Sequence, residues 1–282
     1  MNKTISTIAL MGAIAVASSA TFADDNSIPG EKCKNLPNWS DLRNALLASG
    51  PTDTTRNGGF GLQMWGTIVN RDGFVCTVAF TGADRGDQWV ASRLISAQKA
   101  STANSLATPA GANPNFPDGL SLSTANLYAS AQGGGSLFGV QFSNPIDAEN
   151  AYKGNPKQYG QKEDPLVGKR IGGHNVFGGG FALYNENHEV IGALGVSGDS
   201  SCKDHNFGWR VRHELVLDYV PAGPAAAFHG DSTRPDNIIY DIGPAEKGNI
   251  SSTTGFGHVD CGLGEKDIAE KAEADGGLPN AR

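Results

Sequence analysis

The sequence predicts an α+β fold, an antiparallel sheet of about five strands flanked by helices, with a C-terminal extension. Three observations predict it. Apolar, β-branched runs come in consecutive pairs joined by short turns, the mark of antiparallel neighbours. Helical patterns stand outside these pairs instead of alternating with every strand, so a parallel doubly wound sheet is excluded. No Gly-x-Gly-x-x-Gly follows a strand to open a helix, and Gly133 to Gly135 lacks the lysine of a phosphate loop.

The chain begins with Lys3, an apolar stretch from Ile5 to Val16 and the small-residue site Thr21-Phe22-Ala23, which match a secretory signal peptide cleaved after Ala23. The stretch is shorter than the roughly 20 apolar residues of a membrane span and is interrupted by Ser and Thr. A periplasmic or secreted protein is expected, with a domain over 24–221 and an extension over 222–282.

Residues 37–49 form a short amphipathic helix, with Ser40 near its start and Gly50-Pro51 as its stop. After a loop over 52–61, the apolar runs 62–70 and 74–80 flank Arg71-Asp72-Gly73, a hairpin signal because Asp-Gly tolerates positive φ. From Asp87 to about Leu106 the apolar residues keep helical spacing. Residues 107–119 are rich in Pro, Ala, Asn and Gly and read as surface loop. A second helix is expected over 120–131 and a strand over 137–142.

Residues 143–170 are polar, hold Pro145, Pro156 and Pro165, and show no periodicity; connections of this length are often functional or mobile. Strands follow near 177–184 and 190–196, joined by Asn185-Glu186-Asn187, and the last core helix runs from about 203 to 219. Beyond Pro221 the chain turns small and flexible, with one short strand over 237–242 and a charged helix without an apolar stripe over 265–274. That extension is expected to be partly disordered.

The formal net charge is −7, and removal of residues 1–23 with Lys3 takes it to −8. With no basic run, nucleic acid and anionic lipid are excluded as partners by charge. The 4 cysteines, Cys33, Cys76, Cys202 and Cys261, are widely scattered without Cys-x-x-Cys spacing. An even count in an exported chain points to two disulfides, in any of three pairings. A bridge from a terminal arm to the core is expected.

Candidate chemistry gathers where the strand Val190–Val196 enters the turn Ser197-Gly198 and leaves as a helix. Backbone amides converge at such a corner and the helix dipole favours negative charge there. On the helix, His205, Trp209 and His213 are spaced i, i+4 and i+8 and form a stripe. Trp209 offers a flat apolar face and neutral imidazole is a usual iron ligand. The same stripe also suits a tryptophan packed on the sheet with two marginal histidines. Asp199 and Asp204 suit helix capping. In the earlier helix Lys99 and Thr102 share a face; the plain reading of Thr102 is a hydroxyl bonded back to a carbonyl one turn earlier. The run from Gly172 to Gly180 indicates a bulge or the close approach of a flat ligand or another backbone. His174 within it reads as a solvated loop histidine.

Three segments, in order, resemble the GlcG/HbpS family, whose members are described as heme-binding or heme-degrading proteins. They are the hairpin around Arg71-Asp72-Gly73, the run Lys99-Ala100-Ser101-Thr102-Ala103, and Val190 to Gly198 with its Gly-Val-Ser-Gly ending. The family's following aspartate falls on Asp204, and the resemblance spans roughly residues 37–220. It implies a compact α+β domain, assembly into a homo-oligomer, and heme as ligand, with the family's threonine near iron mapping onto Thr102. The export signal, the cysteines, the insert at 143–170 and the tail are departures from shorter members. A heme needs apolar walls, basic partners for two propionates and an axial donor. The residues expected to supply them are Phe177, Phe207 and Trp209 as walls, Arg210, Arg212 or Lys99 for propionates, and His205, His213 or a water on Thr102 for iron. No Cys-x-x-Cys-His exists, so covalent c-type attachment is excluded.

The reading that follows is an exported heme-binding protein for capture, storage or sensing. The rivals are an enzyme acting on heme or another small molecule, and a non-enzymatic sensor or partner-binding module recruited through the tail.

Overall fold

The structure is a computed structural model that describes residues 32–246 and 249–282; the expected signal peptide lies outside the described residues. Four strands form one antiparallel sheet: β1 Trp65–Asn70, β2 Val75–Phe80, β3 Gly180–Tyr184 and β4 Val190–Ser197, in the order β2-β1-β4-β3. Asn70 ties the first hairpin, its Nδ2 donating to Lys32 O while its Oδ1 accepts from Phe74 N. The α+β class and the flanking helices are as the sequence predicts.

Period-two alternation explains how a sheet so short is buried on both faces. From β1 and β4, Trp65, Val69 and Ala193 face one side, where they join Leu94, Ala97, Ala100 and Ala103 of the helix Ser92–Ser105. Ile68, Leu194 and Val196 face the other side, against Leu42 and Leu46 of α1 (Trp39–Ala48) and Phe207 and Val211 of the helix Ser201–Glu214. The result is helix on sheet on helix. Gly195 makes the first contact possible, because a Cβ there would lie 1.9 Å from Ser96 O.

The helices follow in chain order. α2 is Thr54–Asn57, α3 is the sheet-packing helix Ser92–Ser105, and α4 is Tyr128–Ala131, entered through a 3-10 turn at Thr124–Leu127. Next come α5 Val140–Ser143, α6 Ala148–Ala151 and α7, the helix Ser201–Glu214. The tail adds α8 Pro224–His229, a separate ribbon of β5 Ile242–Glu246 and β6 Asn249–Ser252, and α9 Glu265–Glu270.

Several expectations need correction. Residues 137–142 are turn and the start of α5, not a strand, because Gly139 enters at φ 89° and the preceding glycines give no pairing edge. The helix expected from 87 starts at Ser92, leaving Trp89 and Val90 exposed. The helix expected over 203–219 runs over Ser201–Glu214; Ser200 caps it by accepting from Lys203 N at 3.2 Å, and Val216 has φ 56° just beyond its end.

The tail differs most from expectation. Ile238, Ile268, Ala269 and Leu278 are buried in one cluster with Trp209 and Phe181. Each fully buried aliphatic side chain contributes about 1.5–3 kcal/mol, which offsets much of the ordering of a short segment. Scattered along the tail, these residues show no stripe. Two disulfides tie arms to core as expected: Cys33–Cys76 joins the N-terminal arm to β2, and Cys202–Cys261 joins the tail to the first turn of α7.

Candidate functional site

The corner between β4 and α7 is built first by charge. Lys99 Nζ donates to Asp204 Oδ2 at 2.7 Å and to Val196 O at 3.2 Å, and Asp204 Oδ1 accepts from Asp199 N at 3.0 Å. Beside it, Lys203 Nζ donates to Asp199 Oδ2 at 2.8 Å and to Leu62 O at 3.0 Å. Asp199 also accepts from the Phe60 and Leu62 amides at 2.9 Å. All four side chains are buried. Burial holds the Lys99 ammonium below its usual range and pushes the Asp204 carboxyl up to about 6, against the pull of Lys99. These groups are spent on one another.

The expected site residues do not converge on a shared cavity. Thr102 makes the plain back-bond to Gln98 O at 2.8 Å and accepts from Asn175 N at 2.9 Å. Phe207 is fully buried among Leu42, Leu46, Leu194 and Val211. Trp209 donates to Pro279 O at 2.8 Å and lies under the tail. Arg210 donates to Arg56 O at 3.0 Å and Gly277 O at 3.1 Å. Arg212 forms a two-pronged pair with Asp236, both contacts 2.7 Å, and lies 4.5 Å over the Trp209 ring. His205 Nε2 accepts from Ile238 N at 3.0 Å, and burial pushes its pKa down to about 3. His213 Nδ1 meets Asp218 Oδ2 at 2.7 Å. Only Phe177 of this set is exposed; its ring centroid stands 6.3 Å from that of Tyr128.

The glycine run answers the question it posed in favour of backbone. A Cβ at Gly178 would lie 2.4 Å from Ser201 O, at Gly179 2.6 Å from Val196 O, and at Gly180 2.6 Å from Lys99 O. No room for a flat ligand is left at Gly178 to Gly180, whereas Gly172 at the start of the run faces open space.

An open apolar cleft of about 670 Å³ lies instead on the far side of α3. Its floor is Val90, Leu94, Ile95 and Gln98, and its opposite wall is Ile146, Tyr152, Pro156 and Tyr159 from the 143–170 insert. The size suits a small-molecule site. Leu94, Gln98 and Thr102 follow one another at four-residue spacing, so the floor continues toward Thr102. Gly173 closes that end, since a Cβ there would sit 2.5 Å from Ile146 Cγ2 and 3.1 Å from Gln98 Cγ. The next residue, His174, is half-buried; its Nδ1 has no partner and burial lowers its pKa.

The insert is pinned by a buried ion pair. Arg93 Nε donates to Asp164 Oδ2 at 2.9 Å and Arg93 Nη1 to Ala151 O at 3.1 Å, while the guanidinium stacks 3.7 Å from the Tyr159 ring centroid. Arg85, half-buried at the rim, makes no ion pair among the described residues. Sequence reading missed Arg85, Ile146, Tyr152 and Tyr159. The one signal was the length of the aperiodic insert; a pair such as Arg93 and Asp164, 71 residues apart, leaves no local pattern.

Comparison with known proteins places the chain in a class. Residues 56–210, more than half of it, match the family described as haem degrading protein HbpS-like. The chain belongs to the HbpS-like family. Among solved structures it is similar to the Klebsiella pneumoniae protein ORFY, a DUF336 protein, at 20% identity, covering 64% of this chain and 90% of that one with a TM-score of 0.39. It is also similar to a PduOC–heme complex at 18% identity, covering 62% and 89%, again with a TM-score of 0.39. No curated protein matches.

Proposed function

We propose that the chain is an exported heme-binding protein that captures, stores or senses heme, and that the macrocycle lies in the cleft between α3 and the 143–170 insert. Membership of the HbpS-like family supports the ligand class, and the open apolar cleft carries the placement. The residues there fit the group. Leu94, Ile95, Ile146 and Tyr159 supply apolar walls for a macrocycle, and Arg85 supplies a cation for a propionate. Tyr152 lines the cleft, and His174, whose buried Nδ1 has no partner, follows Gly173 in the chain. Bound heme would supply the redox and ligand-binding chemistry of its iron.

The chain's own residues do the rest. Arg93 and Asp164 hold the insert wall at its distance from α3, and the Thr102 hydroxyl holds the Asn175 amide that positions the Gly172–His174 strap. Export agrees with the two disulfides, and no helix among the described residues is long and apolar enough to cross a membrane.

Hemin titration of the apo-protein tests the reading. A saturable Soret shift is expected, weakened by Ile95→Glu and altered in position by His174→Ala. Binding no tighter than a nonspecific albumin-like control overturns it. The family's description as haem degrading motivates a second reading, turnover of heme. It requires loss of the Soret band and iron release with a reductant in the presence of catalase, which removes bleaching by peroxide.

A further inference from the structure

Cys202, His258 and Cys261 lie together at the seam between α7 and the tail, away from the cleft. One donor atom of each stands within 4.8 Å of the other two. The two sulfurs are joined in a disulfide, and nothing in the heme reading uses the histidine. His258 is 1% exposed.

The His258 nitrogen beside Cys202 is Nδ1, 3.8 Å from the sulfur. The same Nδ1 sits 2.7 Å from Val259 O, which fixes the proton on that nitrogen and leaves Nε2 with a lone pair. Nε2 faces Ser201 Oγ at 3.0 Å, and the same hydroxyl lies 3.8 Å from Cys261 Sγ. The Tyr128 ring, 4.6 Å away, and the bond from His258 N to Ile239 O at 2.7 Å hold the imidazole in place. Cys202 stands in the first turn of α7. Cys261 is half-buried and gives access from solvent.

We propose that reduction of the Cys202–Cys261 disulfide creates a zinc site formed by the two cysteine thiolates and His258. A dithiol reductant passes two electrons and two protons to the bridge and leaves as its own disulfide; Zn²⁺ then displaces the two thiol protons. Zn–S bonds of about 2.3 Å in a tetrahedron place two sulfurs about 3.8 Å apart. Freed sulfurs reach that separation by side-chain rotation, without movement of α7. The Ser201 hydroxyl or a water occupies the fourth position. The soft two-thiolate, one-imidazole set selects Zn²⁺ over Mg²⁺ or Ca²⁺. A small disulfide takes the two electrons back and leaves as two thiols, the bridge closes, and Zn²⁺ is released.

The test uses the full chain, reduced anaerobically with a phosphine and titrated with Co²⁺ as a spectroscopic stand-in for Zn²⁺. One Co²⁺ per chain is expected, with a thiolate-to-metal charge-transfer band that Zn²⁺ abolishes. The oxidised protein shows no band. His258→Gln weakens binding tenfold or more, and His258→Cys keeps the site and strengthens the charge-transfer band by a third thiolate. The double variant Cys202→Ser with Cys261→Ser loses the band, which separates this site from Cys33 and Cys76. Absence of the band in the reduced protein overturns the proposal. So does an unchanged affinity in His258→Gln, an unchanged band in His258→Cys, or a band that survives the double serine variant.

Discussion

Two regions of this molecule carry similar raw material and do opposite things with it. The β4–α7 corner holds lysine, aspartate, histidine, arginine and tryptophan side chains, and nearly every one is buried and bonded to another part of the chain. The α3 cleft holds fewer polar groups and leaves apolar floor and wall open to solvent. A ligand gains affinity from groups that water alone serves, so the cleft has capacity to bind and the corner has little. Richness in chemical groups marks the corner as a structural knot.

The largest effect that tests this contrast is at Lys99. Lys99→Met leaves Asp204 buried without its cation and is expected to cost about 3–5 kcal/mol of stability, read by urea unfolding. Heme affinity of the folded fraction is expected to stay within about twofold; a tenfold loss would make the corner a binding site.

Acid is next. His205 and His258 are neutral in the fold, with pKa values pushed down to about 3 and about 4, so the unfolded chain binds protons first as pH falls below the ordinary histidine value of 6.5. Stability therefore drops between pH 6.5 and 4. Asp204, raised to about 6, takes its proton earlier in the fold and offsets part of that drop between about 6 and 3.8. The net loss is on the order of 3 kcal/mol by pH 4. A flat stability profile over that range would show that the buried histidines are not held neutral.

In the cleft, Ile95→Glu is expected to reduce heme affinity at least tenfold, about 1.4 kcal/mol, with a stability change under about 1 kcal/mol because Ile95 is half-buried. Calorimetric titration beside a thermal melt separates the two effects. Arg85→Ala at the rim is expected to weaken heme by a few-fold, with loss of salt dependence. The smallest effect is at Phe177, exposed and outside the cleft lining, where Phe177→Ala should move stability by less than about 1 kcal/mol and leave hemin binding unchanged.

Much of the fold was legible because its signals are local. Asp72-Gly73 specifies a turn, the runs on each side are apolar and β-branched, and α3 repeats its alanines at helical spacing. The strand expected over 137–142 failed because six apolar-rich residues carry no direction of their own when glycines precede them. The stripe His205, Trp209 and His213 was correctly seen as a stripe. Its partner could not be, because Ile238, Ile268 and Leu278 sit in separate polar stretches and meet Trp209 only after the tail folds back.

The amino-acid sequence alone determined the sheet, the helices that cover it, the even set of cysteines and the family to which the chain belongs, since each is written in neighbouring residues or in ordered short motifs. Tertiary structure alone decided which side chains remain available. Whether His205 is a ligand or an acceptor for the Ile238 amide, and whether Cys202 meets Cys261 and His258, depends on chain segments that sequence separation keeps far apart. Packing brings them within bonding distance, and the bonds they form there remove them from, or assign them to, chemistry.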